Sequence, residues 1–292
     1  MTPTDSTGTA DWRDGAASEL AARHLPALGL PGPAAVLADP VDAAGLALEA
    51  EGLAVSRWWR RAVDGRPASA WPSGGPFGTV ALRLPRAKDE LEMMVHASAG
   101  LLVPDGRLLV YGAKDEGAGS AARRIGRVFG TVRSVATGGR CRLLLAGDPA
   151  PLTGLRPTLE AWEEAFASEL DELPGRWVSF PGVFAHGRLD GGTRLLLEHL
   201  PDVASGDRVL DFGCGHGIVG AVVRARRPSA EVDFLDVDAL ALEAVRRNVP
   251  GARTVLSDGW SRAPAGPWDA VLSNPPYHRG KGESTRVVRE LV

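Results

Sequence analysis

The stretch Val209-Leu210-Asp211-Phe212-Gly213-Cys214-Gly215-His216-Gly217 constrains the fold more than any other part of the chain. An apolar run that ends in an acid and then in alternating glycines reads as a β-strand, a tight turn and the start of a helix. Glycines are needed there because a backbone without Cβ atoms can turn sharply and let a ligand approach closely. In open α/β sheets such a turn lies at the carboxyl end of a strand, where ligands bind. Asp236 closes the next apolar run, Phe234-Leu235-Asp236, roughly 20 residues on, where a carboxylate can accept both hydroxyls of a ribose. A glycine turn beside a helix-capping acid is the plainer alternative; strand, turn and second acid together favour a nucleoside site. Gly215, Gly217 and Gly220 also spell the dinucleotide pattern GxGxxG, but in that fold the first glycine follows the strand directly. Counting from Gly213 puts Ile218 at the third position, so the better register is Asp-x-Gly-x-Gly-x-Gly, which suits S-adenosylmethionine.

The rest of the sequence fits an α/β protein with two halves. From Gly191 onward, apolar runs of strand and helix type alternate: helix at Thr193 to Leu200, strand at Arg208 to Phe212, helix at Ile218 to Arg226. Strand at Glu231 to Leu235, helix at Ala239 to Asn248 and strand at Ala270 to Ser273 follow. Upstream, Ala16 to Leu25 reads as a helix, Ala34 to Ala38 and Gly78 to Leu84 as strands, Ala87 to Ala99 as a helix. A turn at Pro104-Asp105-Gly106 leads into a strand at Arg107 to Tyr111. This alternation predicts parallel sheets covered by helices. Residues 1–150 form the expected first domain, 151–177 a linker helix centred on Leu159 to Leu173, and 178–292 the ligand-binding domain. The halves echo each other, since Val80 to Leu84 and Val271 to Ser273 are both strands closed by proline. The first half has Val36-Leu37-Ala38-Asp39-Pro40 where a glycine turn would stand, so it carries the skeleton without the ligand loop.

Ser273-Asn274-Pro275-Pro276-Tyr277 is the second chemical motif. The prolines stiffen the loop and remove competing N–H donors. Asn274 offers a side-chain oxygen and Pro275 a carbonyl as paired acceptors for an NH₂ group, and Tyr277 offers a ring for stacking. A planar conjugated amine is a poor nucleophile; two acceptors on its hydrogens favour pyramidalisation and aim its lone pair at an electrophilic methyl.

With these motifs the chain resembles class I S-adenosylmethionine-dependent methyltransferases, and among them the bacterial ribosomal RNA guanine-N2 methyltransferases. The resemblance rests on Pro181-Gly182-Val183-Phe184, Leu189 to Thr193 and Leu195 to Leu197, on the glycine turn, and on Asn274 to His278. It implies two tandem Rossmann-like domains, the first degenerate; RNA docking is the role expected of that first domain from its arginines. It implies S-adenosylmethionine held by Asp211, Gly213, Gly215, Gly217, Asp236 and Asp258, the last beside the adenine. It also implies catalysis by Asn274, Pro275, Pro276 and Tyr277 on a guanine of ribosomal RNA. Against the first half, the second lacks roughly 60 residues after its catalytic loop, so the expectation is a domain without its last strands. Methylation of another planar amine, a protein glutamine or an adenine, is the neighbouring alternative, and a non-catalytic RNA- or cofactor-binding remnant the distant one.

Composition narrows the partners. With 33 basic and 36 acidic side chains the formal charge is -3, which excludes a histone-like binder but permits a local basic patch. Arg123, Arg124, Arg127, Arg133, Arg140 and Arg142 form one such run, His278, Arg279 and Lys281 another. Two distant cysteines and scattered histidines give neither a disulfide framework nor metal-ligand spacing. No apolar run approaches the roughly 20 residues of a membrane span, and the first residues do not form a signal peptide, so a cytoplasmic protein is expected. The sequence leaves the oligomeric state and the modified nucleotide open.

Overall fold

The computed structural model describes residues 11–275; Pro276, Tyr277, His278, Arg279 and Lys281 lie outside them. The chain divides into two compact units. One comprises the residues up to Trp59 together with Pro72–Ala161, and the other Arg60–Trp71 together with the residues from Trp162 onward.

The first unit begins with α1 (Trp12–His24), started by the Asp11 side chain accepting from the Arg13 N–H. It continues through β1 (Ala34–Leu37), α2 (Ala43–Ala50), β2 (Val55–Trp58), β3 (Phe77–Arg83), α3 (Lys88–Leu101) and β4 (Leu102–Ala113). Then come α4 (Ala118–Ile125), β5 (Phe129–Gly138) and β6 (Cys141–Pro149). The sheet order is β2-β1-β3-β4-β6-β5. Pairing is parallel from β2 to β4, as the alternation predicts, but β6 runs antiparallel to both β4 and β5. The cause is local: Gly139 and Arg140 both take positive φ between the paired Gly138 and Cys141, the geometry of a two-residue hairpin turn. Nor do Pro104 to Gly106 form a turn ahead of the strand, which already begins at Leu102. They bulge within β4, where the pairing jumps from Phe77–Leu102 to Thr79–Arg107.

In the second unit β7 (Glu164–Ala167) and β8 (Arg176–Ser179) form an antiparallel pair. α5 (Gly191–Glu198), β9 (Arg208–Phe212), α6 (Ile218–Arg226), β10 (Glu231–Asp236), α7 (Ala239–Asn248), β11 (Arg253–Leu256) and β12 (Ala270–Leu272) follow. The order β11-β10-β9-β12 is parallel throughout, with β9 between β10 and β12. The expected linker helix over Leu159 to Leu173 is absent. A 3-10 turn at Leu159–Trp162 leads instead into β7. Pro174 blocks helix propagation beyond that point, and β8 supplies ladder partners, pairing Phe166 with Trp177. The spacing of Trp162, Phe166 and Leu170 reflects burial rather than helix: Trp162 is buried, and Phe166 and Leu170 pack against the core of Trp177, Val222 and Phe234.

Two groups fix α6 to the sheet. A Cβ at Gly220 would lie 2.4 Å from Phe234 Cε1, so only glycine lets the helix sit this close to β10. The Asp-x-Gly-x-Gly-x-Gly register gives Gly220 no part, yet it performs the helix-packing role of a third glycine. Its N–H donates to buried Asp211 Oδ2 at 2.8 Å, tying the helix to the end of β9. Burial pushes the Asp211 carboxyl up to about 7, against the Gly220 N–H and with the Asp236 carboxylate.

Two outcomes follow. Gly220→Ala should destabilise the chain by about 1–3 kcal/mol in urea denaturation, because overpacking against Phe234 outweighs the helix propensity gained. The folded chain holds the Asp211 proton to higher pH than the unfolded chain, which releases it near about 3.9. Stability from this group therefore falls as pH rises from about 4 to about 7 and is level above. Asp211→Asn keeps an acceptor for Gly220 and should remove that slope, gaining up to about 4 kcal/mol over the unaltered chain above pH 7. Denaturation curves of both chains at pH 5 and pH 8 check the sign.

Candidate active site

Parallel strands β9, β10 and β11 deliver Asp211, Asp236 and Asp258 to one edge of the sheet, and β12 delivers Asn274 beside them. Gly213, Gly215 and Gly217 all take positive φ (71°, 53° and 86°), so the turn depends on glycine at each. Its N–H groups are stitched to the end of β10. Gly213 and Cys214 donate to the Leu235 carbonyl at 2.8 and 3.0 Å, and Gly215 donates to Asp236 Oδ2 at 2.9 Å. The other Asp236 oxygen accepts from Asp238 N at 2.9 Å. Each carboxylate oxygen keeps a further lone pair for a hydroxyl donor. Burial and the Asp238 carboxylate push Asp236 up to about 6, opposed by those two N–H groups and by Arg61.

A Cβ at Gly213 or Gly215 would meet nothing within 4 Å, so both present bare backbone to open space. A Cβ at Gly217 would meet Val245 Cγ2 at 3.0 Å, so this glycine serves the turn into α6. A cavity opens over the turn, walled by Asp211, Gly213, Gly215, Asn274, Asp190 and Thr193, with Phe184 and His216 also on it. Asp236 and Asp258 stand outside this wall, joined by the Ser257 N–H, which donates to the Asp236 carbonyl at 3.0 Å. Trp260 follows them and packs on Phe212, ring centroids 4.8 Å apart.

Asn274 shows the most organised polar chemistry. Its Nδ2 donates to Asp190 Oδ2 at 3.0 Å and to Thr193 Oγ1 at 2.9 Å. Both amide hydrogens are thereby used, which leaves Oδ1 as the acceptor of the group. Asp190 is the N-cap of α5, accepting from Gly192 N at 2.9 Å and Thr193 N at 3.2 Å. Burial would raise its carboxyl, but the Asn274 amide and these N–H groups hold it below the usual carboxylate range. Gly192 keeps the contact close, since a Cβ there would lie 2.7 Å from Asn274 Oδ1.

Asp190 and Thr193 were visible in the sequence only as part of a matching segment, and the S/T/D N-cap signal ahead of Leu195 to Leu197 is what could have singled them out. His216 went unassigned as well. It is buried beside Phe166 and Trp177, at ring distances of 5.6 and 6.2 Å, and burial pushes its imidazole down to about 4. Pro275 ends the described chain, and Pro276 and Tyr277 of the expected catalytic set fall outside it. Among the described residues no group of three His, Cys, Asp or Glu could hold a metal, and no helix is long and apolar enough to cross a membrane.

The methyltransferase small domain model matches residues 175–292. The ribosomal RNA small subunit methyltransferase C of Stutzerimonas stutzeri is 38% identical over 226 residues, covering 76% of this chain and 66% of that protein. The chain spans 62 to 66% of the length of three such relatives from pseudomonads. The protein of that name from Hahella chejuensis is 32% identical over 269 residues, which are 87% of this chain and 78% of the relative. Among solved structures, the 16S rRNA N2 methyltransferase of T. thermophilus, in complex with AdoMet and guanosine, superimposes with a TM-score of 0.78. It covers 97% of this chain and 80% of that one at 23% identity, which establishes the α/β methyltransferase fold. Sequence identity sustained over more than three quarters of a curated relative, on a fold that places its motifs at one sheet edge, makes this chain a member of the ribosomal RNA small subunit methyltransferase C family.

Proposed function

We propose that the chain transfers a methyl group from S-adenosylmethionine to the exocyclic N2 amine of a guanine in small-subunit ribosomal RNA. The observation that carries this reading is Asn274, its amide hydrogens held by Asp190 and Thr193 and its oxygen left to accept beside the bare glycine turn. When bound, the cofactor supplies an electrophilic methyl on a sulfonium. Gly213 and Gly215 would lie against its amino-acid end, Asp236 would accept from its ribose and Asp258 would sit by its adenine. Asn274 Oδ1 would accept one hydrogen of the substrate amine and the Pro275 carbonyl the other, orienting the lone pair. Asp190 fixes the Asn274 amide so that this acceptor needs no reorganisation. Phe184, 46% exposed at the cavity, offers a ring on which an unstacked base could lie.

The reading extends to the first unit, as a degenerate copy of the second. Both sheets put their first strand between two parallel neighbours, β1 between β2 and β3, β9 between β10 and β12. Where β9 runs into its glycine turn, β1 runs into Asp39, whose Oδ2 accepts from Ser18 Oγ at 2.6 Å and Tyr111 Oη at 2.9 Å. Ser18 lies on α1, so a helix and a closed hydrogen-bond network occupy the place of the ligand loop. RNA docking is the role that remains to this unit. Its arginines do not form one stripe: Arg123 and Arg124 share the last turn of α4, Arg127 faces Glu92 at 3.4 Å, and Arg140 stacks over Trp12.

Tritiated S-adenosylmethionine with 16S rRNA or small subunits lacking the modification, followed by nucleoside analysis, tests the reaction. Label in N2-methylguanosine is expected; label in another nucleoside or in protein would overturn it. Asn274→Ala should bind S-adenosylhomocysteine within about twofold of the unaltered chain yet lose about 100-fold or more in transfer, since positioned groups contribute rate factors of that order. Equal loss of binding and turnover would contradict this division. Changing Arg123, Arg124 and Arg127 together to Ala should weaken RNA binding and flatten its salt dependence, by up to about one log unit per lost phosphate contact, with cofactor affinity unmoved. A filter-binding salt series reads that slope.

A further inference from the structure

Residues 60–65 come early in the chain yet belong to the second unit, where they lie along the turn that carries the ribose acid. Arg61 bridges Asp238 in antiparallel fashion. The Ala62 N–H donates to the Val237 carbonyl at 2.9 Å, and the Ala239 N–H to the Arg60 carbonyl at 3.0 Å. This pins the segment Asp236-Val237-Asp238 from outside the parallel sheet. The Arg60 side chain, 6% exposed, is an ion-pair partner of buried Asp238 at 2.5 Å and donates through the same nitrogen to the Gly182 carbonyl at 2.7 Å. Gly182 begins the segment that carries Phe184 and Asp190 to the cavity and leads into α5, which carries Thr193. At its far end the segment reaches the loop after β11: the Asp64 N–H faces Asp258 Oδ2 at 3.3 Å, and Arg262 faces the Gly65 carbonyl at 3.4 Å.

One short strap therefore touches the lead-in at Gly182, which reaches the cavity, and the two loops that would surround the adenosine end of a ligand, the turn at Asp236 and the loop at Asp258. We propose that this strap is a working part of the cofactor site and that Arg60 is its positioning residue. The inference rests on the cofactor reading above. Arg60 does not touch the ligand. It neutralises Asp238, the carboxylate two residues beyond Asp236, and fixes the backbone N–H of Asp238 that donates to Asp236 Oδ1. Asp236 is thereby left with its free lone pairs in one orientation, matched to a pair of vicinal hydroxyls. Asp238 in turn caps α7 through Leu240 N at 3.0 Å, so a shift of the turn would also shift the helix start. A lysine at position 60 could still pair with Asp238, but a single ammonium on a flexible stem cannot reproduce the fixed geometry of a guanidinium.

The test is hydroxyl selectivity, which a merely structural brace would not move. Calorimetric titration of the full chain with S-adenosylhomocysteine and with its 2′-deoxy counterpart should show the deoxy compound about tenfold weaker or more, as for a lost bond to a charged acceptor. In Arg60→Lys, S-adenosylhomocysteine should weaken by about fivefold or more while the deoxy compound changes by less than about twofold, so the discrimination collapses. Where Arg60→Lys fails to fold, the double variant Arg60→Met/Asp238→Asn leaves no unpaired buried charge and should show the same collapse. Equal weakening of both compounds, or none of either, overturns the role of Arg60. If the unaltered chain binds neither compound, the cofactor reading itself falls and takes the strap with it.

Discussion

Everything at the site depends on the stitching of the Gly213–Gly217 turn to the end of β10. Three successive N–H groups, of Gly213, Cys214 and Gly215, are spent on the Leu235 carbonyl and the Asp236 carboxylate. A glycine turn free of such ties would be the most mobile part of the unit, since glycine loses the most conformational entropy on ordering. Here the cost is offset by bonds to a strand that is itself paired on both sides. Asp236 is a structural acceptor for the turn, and under the proposed function its remaining lone pairs would also serve the ribose. A substitution there removes both at once, which is why the selectivity of the site is better read through residues that support Asp236 than through Asp236 itself.

The second organising device is the Asp190–Thr193–Asn274 cluster. An asparagine amide can present oxygen or nitrogen to a substrate, and only the oxygen orientation orients an amine. Asp190 decides between them. It is held ionised by the N-terminus of α5 and by the amide itself, so it can only accept, and it faces Nδ2. Thr193 Oγ1 takes the other amide hydrogen. The helix start, the low carboxyl pKa and the Asn274 acceptor are one linked arrangement, spread over residues more than 80 positions apart in sequence.

Much of this was legible in the sequence because it is local. The glycine turn, its strand and the acid of the following strand lie within 30 residues, and their spacing carries their geometry. What spacing does not carry was missed. The partner of Asn274 depends on how α5 docks against β12, and the strap at Arg60 depends on a chain reversal that no periodicity records. The helix expected at Leu159 to Leu173 failed for a related reason: apolar residues four apart satisfied a burial requirement, while β8 competed for the backbone. The antiparallel β6 depended on a Gly-Arg pair in positive φ, a turn signal that was read as part of an arginine run. Gly220 is the instructive case. The GxGxxG spelling includes it and the Asp-x-Gly-x-Gly-x-Gly register does not, yet its role is set by Phe234, a residue on another strand.

The buried and half-buried carboxylates of the second unit separate structure from chemistry. Asp238 pairs with Arg60, and Asp233 with Arg253 at 2.8 Å and Arg208 at 3.9 Å. Among the described residues neither Asp211 nor Asp236 makes an ion pair; each is held by backbone N–H groups and each is raised, to about 7 and about 6. A carboxylate matched by a guanidinium has its charge already answered and offers little to a ligand. One held only by N–H donors still seeks positive or hydrogen-bonding partners, and keeping it ionised costs the fold stability. The two without a direct ion pair are the two that flank the glycine turn, Arg61 acting on Asp236 only through its charge. Such a cost, borne among the described residues of this unit by these two, is what a site that gains its last donors from a bound molecule should show.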